Sequence, residues 1–332
     1  MDHKPGLIIW FPELNRYAQN GMPQEAIKLF NAMRKSRTEP DKYTIAAVLS
    51  ACASVGALDL GSWVDDFASR KGLLPRNVYI STALIDMYAK CGNLDRAIQI
   101  FAAMPHKNVV SWNAMISGMA SHGHGQEAIR LFHRMLDEKE VLPNDITFVG
   151  LLSACVHTGL VSEGRQWFSL METKFGITPK IEHQSCMVDL LARAGHVEEA
   201  WEFIEKMPEK PDAVMLGALL NACRNFKNVE VGERVMKKIL EIEPSNSGNY
   251  VIASKIYARS NRLEESARMR GLMKERGVSK TPGCSWIEIN GEARDFHAGD
   301  RLHPEALELN WVIDLLAEEM KKEGYTPNID LL

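Results

Sequence analysis

The sequence predicts an all-α solenoid of stacked antiparallel helical hairpins, and three observations predict it. The first is internal repetition. LSACASVGALDLG at 49–61 returns as LSACVHTGLVSEG at 152–164, and LIDMYAKCGNLDRAIQIFAAMP at 84–105 returns as MVDLLARAGHVEEAWEFIEKMP at 187–208, both offset by 103 residues. QEAIKLFNAM at 24–33 returns as QEAIRLFHRM at 126–135, offset by 102. Three different strings on one period make a compound unit, three related sub-repeats used twice. The second observation is helical spacing of apolar residues inside each sub-repeat. The third is regular punctuation by glycine and proline. Units of 20–50 residues that cannot bury their apolar faces alone do so by stacking on their neighbours.

The elements follow in order. Units span 7–41, 42–77, 78–108, 109–144, 145–180 and 181–212. In 78–108, Ala83, Leu84, Met87 and Tyr88 form one helical face. Gly92-Asn93 breaks it, and Asn93 caps a second helix with Asp95 in its first turn. Ala97, Ile98, Ile100, Phe101 and Met104 make its buried stripe, and Pro105 stops it. Gly21, Gly56, Gly92, Gly125, Gly159 and Gly195 fall at or near the turn between paired helices. Pro40, Pro75, Pro105, Pro143, Pro179 and Pro208 fall near the unit ends. Ala26, Ala97, Ala128 and Ala200 recur early in second helices, where a methyl lets two helices approach closely. Two divergent hairpins follow, at 213–246 and about 247–281, then a different tail at 282–332.

Composition narrows the function classes. Hydrophobic residues make up 45 % of the 332, enough for a continuous core, and no apolar run is long enough to span a bilayer. The net charge of −4 lacks the basic footprint of a general nucleic-acid binder, so any RNA reading rests on site chemistry. The first residues, MDHKPGLIIWFPELN, show no signal-peptide or presequence pattern. Six cysteines contain no C-x-x-C, and Cys52, Cys155 and Cys223 sit at one register, as small buried residues of a helix face do. His196-Val197-Glu198 matches half of the zinc deaminase signature by letter, but lies where the earlier copy has the capping Asn93. His122-Gly123-His124 reads as a solvated turn. No metal ligands, cofactor site or catalytic residues are predicted.

With unit lengths near 35, 36 and 31 residues, these strings resemble plant pentatricopeptide repeat (PPR) proteins of the PLS class. NVVSWNAMISGMASHGHGQEAIRLFHRM is similar to a P-type unit, DITFVGLLSACVHTGLVSEG to a long unit, and VYISTALIDMYAKCGNLDRAIQIFAAMP to a short one. Residues 213–278 resemble paired E motifs, and SKTPGCSWIEINGEARDFHAGDRLHP resembles the PG box and E+ stretch. The resemblance implies a right-handed α–α superhelix with six units in P-L-S-P-L-S order at 7–212. Two E-motif hairpins at 213–281 follow, then a tail at 282–332 that begins an incomplete DYW deaminase region.

The resemblance further implies sequence-specific single-stranded RNA binding, one base per repeat. In the family the fifth residue of the first helix and the last residue of the unit read the base edge, and the second residue packs on base faces. Carried onto this sequence, Thr82 with Asn108 favours adenine, and Asn113 with Asn144 a pyrimidine, cytosine before uracil. Ser185 with Asp212 leans to guanine. Tyr79 and Val110 are the stacking residues. Phe11 with Asp41, Ala46 with Asn77, and Val149 with Lys180 are weak readers, because Phe, Ala and Val side chains cannot hydrogen-bond a base. Glu182 is a poor stacking partner. The expected RNA reads adenine, pyrimidine, any base, guanine, 5′ to 3′.

The function implied is site recognition for organellar cytidine-to-uridine editing, in the mitochondrion or alternatively the chloroplast. Its implied partners are multiple organellar RNA editing factor proteins and a DYW-type deaminase in trans. Two alternatives stay open: a tetratricopeptide-like protein scaffold without RNA binding, and a deaminase fragment, which would hold stoichiometric zinc.

Overall fold

A computed structural model describes residues 7–280, 283–289, 292–297 and 306–326. It separates into two compact units, Met1–Ser279 and Lys280–Leu332.

The first unit is sixteen helices in eight antiparallel pairs. They are α1 (Leu7–Gln19) with α2 (Pro23–Lys35), α3 (Lys42–Val55) with α4 (Leu58–Arg70), α5 (Val78–Lys90) with α6 (Leu94–Ala103), and α7 (Val109–Ser121) with α8 (Gly125–Glu138). There follow α9 (Asp145–Thr158) with α10 (Val161–Thr173), α11 (Ile181–Arg193) with α12 (Val197–Lys206), α13 (Ala213–Asn225) with α14 (Val229–Ile242), and α15 (Ser247–Arg259) with α16 (Leu263–Glu275). Each odd-numbered helix packs on the next odd-numbered helix, from α1 through α15. Among the described even-numbered helices only the backbones of α12 and α14 come close; others meet through long side chains, as Phe168 of α10 meets Phe203 of α12. First helices therefore form a tight inner layer and second helices a splayed outer one, which is the geometry of an α–α solenoid.

The hairpins close as their sequence dictates. Gly21, Gly56, Gly92, Gly159 and Gly195 all take positive φ, a conformation that costs an L side chain steric strain. Asn93 accepts the Arg96 N–H at 3.1 Å and caps α6. Ala26, Ala97, Ala128 and Ala200 are fully buried where paired helices meet. Cys52, Cys155 and Cys223 lie in the core, and the six cysteines form no disulfide. One apolar cluster runs from Leu14 to Met171, another from Val188 to Tyr257, with Leu152, Cys155, Val156, Met187 and Leu190 between them.

One expectation is sharpened and one needs correction. Gly125 lies near the turn and not in it. Gly123 (φ +78°) makes that turn, and Gly125 is the buried first residue of α8. A Cβ there would lie 2.4 Å from Thr158 Cγ2 and 2.6 Å from the Ala154 carbonyl oxygen of α9. Ile98 is exposed, on the outer side of α6, while its neighbours Ala97, Ile100 and Phe101 are buried.

The second unit holds an antiparallel hairpin, β1 (Cys284–Ile289) with β2 (Glu292–His297), and α17 (Ala306–Lys322). The strands are a departure from an all-helical expectation. α17 leaves Trp311, Val312, Leu315 and Leu316 exposed. Residues 281–282, 290–291, 298–305 and 327–332 of the tail lie outside the described residues.

The glycines generate a paired test. Gly125→Ala forces α8 and α9 apart and lowers unfolding free energy by about 1–3 kcal/mol. The new methyl of Gly217→Ala meets nothing closer than Ile239 Cδ1 at 3.9 Å. It raises stability by about 0.5–1 kcal/mol through the better helix former. Denaturant midpoints of the two variants measure both.

Candidate nucleic-acid interface

The inner layer carries one polar device and one apolar device on each of five helices, α3, α5, α7, α9 and α13. The polar device is the N-cap. An α-helix begins with unpaired N–H groups, and an Asn or Asp oxygen just before it accepts one of them. Here that residue is the last of the preceding unit. Asp41 accepts from Thr44 N at 2.7 Å, Asn77 from Ile80 N at 3.3 Å, and Asn108 from Ser111 N at 2.9 Å. Asn144 accepts from Thr147 N at 3.0 Å, and Asp212 from Met215 N at 2.7 Å. The sequence expectation gave these five residues a role at the RNA; the structure gives each a capping bond as well.

Capping decides which atom is left over. An Asn whose oxygen faces the helix turns its NH2, a donor, away from it. An Asp turns out its second oxygen, an acceptor. Asn77 and Asn108 thus present donors, and Asp41 and Asp212 acceptors. Lys180 makes no side-chain cap; its ammonium pairs with Asp145. That hydrogen bond holds the Asp145 carboxyl below the usual carboxylate range.

The apolar device is the second residue of each first helix. Tyr43, Tyr79, Val110, Ile146 and Val214 are all exposed, Tyr79 to 79 %. Only Tyr79 and Val110 were expected from the sequence; Tyr43, Ile146 and Val214 hold the same register in their units. Glu182 occupies the rung on α11 and is also exposed.

The fifth residues lie deeper. Thr82 and Ser185 are half-buried, and the Thr82 hydroxyl has no hydrogen-bond partner. Asn113 is 5 % exposed. Its Nδ2 donates to Asn144 Oδ1 at 3.0 Å and its Oδ1 accepts from Thr147 Oγ1 at 2.6 Å. The structure thus brings Asn113 and Asn144 together, with Thr147, a residue that sequence reasoning passed over. Phe11 meets Tyr43 of the next unit, ring centroids 5.6 Å apart. Ala46 and Val149 are half-buried.

The metal decoys are accounted for locally. His196 precedes α12 without a side-chain cap, and Glu198 accepts from Asn228 Nδ2 at 2.9 Å. His122 Nε2 lies 2.6 Å from the Ala89 carbonyl of the preceding unit. Among the described residues no group of three or more His, Cys, Asp or Glu could hold a metal ion. No helix among them is long and apolar enough to cross a membrane.

Sequence comparison agrees with this geometry. The PPR repeat family profile matches residues 13–54 and 107–157, and the PPR repeat profile matches 79–109, 146–174 and 185–211. The E motif profile matches 226–288. The chain belongs to the pentatricopeptide repeat family.

An Arabidopsis thaliana pentatricopeptide repeat-containing protein named chloroplastic/mitochondrial is 41 % identical over 97 % of this chain and 52 % of its own length. Another from the same plant, named mitochondrial, is 44 % identical over 90 % of this chain and 44 % of its own. The chain spans about half the length of the curated relatives it matches. The fold is shared with the pentatricopeptide repeat protein PPR10 solved in complex with an 18-nt psaJ RNA element. There the TM-score is 0.61 at 17 % identity, over 80 % of this chain and 39 % of that one.

Burial also fixes thiol chemistry. It pushes the Cys155 and Cys223 thiols up to about 12 and Cys186 to about 11, whereas Cys284 is exposed. At pH 8 a maleimide labels Cys284 in the folded chain and reaches Cys155 and Cys223 only after denaturation. Peptide mass shifts read this out, and labelling of Cys155 at the Cys284 rate would contradict its core placement.

Proposed function

We propose that the PPR array is a sequence-specific binder of single-stranded RNA. In that role it directs cytidine-to-uridine editing in an organelle and leaves deamination to another chain. The observation that carries this reading is the pairing of devices on one helical layer. An exposed apolar side chain and a capping amide or carboxylate recur together on five first helices, α3, α5, α7, α9 and α13. A single exposed tyrosine is unremarkable on any surface. Five apolar residues at one register, each beside an oriented donor or acceptor, match what unstacked bases need: a face to stack on and an edge to hydrogen-bond.

The leftover cap atoms give each unit a preference. Adenine N1 accepts a hydrogen bond and guanine N1–H donates one. Asn108, presenting NH2, suits adenine with Thr82 of the same unit. Asp212, presenting an oxygen, suits guanine with Ser185 of its unit. The Asn113–Asn144 pair presents donors, which suit the N3 and O2 of cytosine. PLS-type unit order and the editing role rest on the resemblance; the organelle rests on it and on relatives named for chloroplast and mitochondrion. The multiple organellar RNA editing factor proteins on the long units and a DYW-type deaminase at the E-motif end rest on the resemblance alone.

Two substitutions separate specificity from affinity. Asn108→Asp keeps the cap but exchanges a donor for an acceptor, and moves preference at that base from adenine to guanine. Tyr79→Ala weakens every RNA alike, by about 1–3 kcal/mol for a lost stacking contact. Fluorescence anisotropy on short single-stranded RNAs differing at one base measures both. Equal affinity of the parent chain for RNAs with all informative bases changed would refute the proposal.

A further inference from the structure

We infer that Thr147, a residue of the following long unit, is the positioning residue that makes the Asn113–Asn144 pair choose cytosine over uracil. The inference rests on the RNA-binding reading above.

Thr147 is fully buried at the junction of α7 and α9. Its Oγ1 accepts the Asn144 backbone N–H at 3.0 Å. It has one hydroxyl proton and two oxygens within reach, Asn113 Oδ1 at 2.6 Å and Asn144 Oδ1 at 3.0 Å. Asn144 Oδ1 already receives two N–H groups, from Thr147 N and from Asn113 Nδ2, both at 3.0 Å. The proton therefore goes to Asn113 Oδ1, the nearer and less occupied acceptor. That bond turns the Asn113 oxygen inward and commits one Asn113 N–H to Asn144. What remains of the pair for a base is the second Asn113 N–H and the Asn144 NH2. Every leftover group is a donor.

This settles the pyrimidine. The two bases differ at N3: cytosine N3 accepts and uracil N3–H donates, so a donor held opposite N3 matches cytosine and meets a like donor in uracil, whose O2 and O4 still accept. Uracil N3–H finds its acceptor only if an amide oxygen turns outward. The Thr147 hydroxyl is what removes the reason for it to do so.

The earlier long unit supplies an internal comparison. Thr44 stands 103 residues before Thr147 and is likewise buried. Its hydroxyl donates to Asp41 Oδ1 at 2.7 Å instead, because the fifth residue there is Phe11, which offers no acceptor. The short-unit and P-type junctions lack this arrangement: Ile80 has no hydroxyl, and Ser111 Oγ donates to the Asn108 backbone carbonyl at 2.8 Å.

The test uses the whole chain with short single-stranded RNAs that carry either cytosine or uracil at the base facing Asn113. The parent is expected to prefer cytosine by about tenfold. In Thr147→Val the buried Asn113 oxygen loses its donor and is relieved by turning toward the base. The preference falls to near unity, mainly because uracil RNA binds better. Thr147→Ser keeps the hydroxyl and restores the tenfold ratio, whatever either variant does to the melting temperature. A Thr147→Val chain that still prefers cytosine tenfold overturns the inference and leaves the RNA-binding reading standing. A parent indifferent between cytosine and uracil overturns the inference alone, and a parent that binds neither RNA overturns both.

Discussion

Each first helix from α3 to α9, and α13 again, begins on a side chain supplied by the end of the hairpin before it. The helix cannot start without satisfying its free N–H groups, and the side chain that satisfies them is thereby held in one orientation. Register between hairpins, helix stability and presentation of a reading atom are consequently one constraint. Exchanging Asn for Asp at such a site changes the outward chemistry from donor to acceptor while the fold keeps its cap, since both rank among the best N-cap residues. A solenoid can therefore vary what it recognises at these positions without rebuilding its core.

The outer layer shows the complementary freedom. In the first triplet Asp65 is buried and accepts from Tyr88 Oη at 2.9 Å and Arg96 Nε at 2.8 Å, tying α4 to α5 and α6. That bond raises the Arg96 pKa, and burial raises that of Tyr88. The residues 103 positions later are Phe168, Leu191 and Glu199. There Phe168 packs edge-on to Phe203 with centroids 5.6 Å apart, and Glu199 pairs with Arg165 at the surface. A hydrogen-bonded ion pair and an apolar contact thus occupy equivalent places in two copies of one unit. This agrees with the near equivalence of buried ion pairs and well-packed apolar replacements. Geometry is kept there and chemistry is not, whereas the five caps keep both an oxygen acceptor and a register.

Helix pairs were legible because their signals are local: a glycine that takes positive φ, a proline after the last turn, apolar residues at helical spacing. Position within a hairpin was less legible where a contact crosses units. Gly125 looks like a turn glycine until the Ala154 carbonyl of the next hairpin is seen against it. Ile98 fits a helical stripe, but the stripe's width depends on which neighbour covers it. The β1–β2 hairpin had a sequence signal in Asn290-Gly291 between alternating segments, masked by expectation of helices throughout. The candidate reading residues were placed by family register, which gave no sign of the bonds they make. Nothing within residues 109–144 announces that Asn113 is held by a threonine beyond the unit's end. The recurrence of Thr44 and Thr147 at the shared offset was the available sign, along with Tyr43, Ile146 and Val214 at the rung position.

On the proposed RNA-binding reading, the charge of the chain leaves recognition to these two devices. A net charge of −4 gives RNA no general attraction. Two cations on the inner helices are already engaged: Lys90 pairs with Asp86 at 2.8 Å on α5, and Arg193 with Asp189 at 2.9 Å on α11. A phosphate reaching either must compete with a carboxylate one turn away, which offsets much of the gain in a screened surface setting. On that reading affinity falls to the exposed apolar rungs, which accept any base face, and discrimination to the capping amides and carboxylates, which accept only a matching edge. Separating the two makes selectivity strong relative to affinity. A binder that held RNA mainly by its phosphates would stay on wrong sequences; one that holds it by base faces and edges releases them once an edge fails to match.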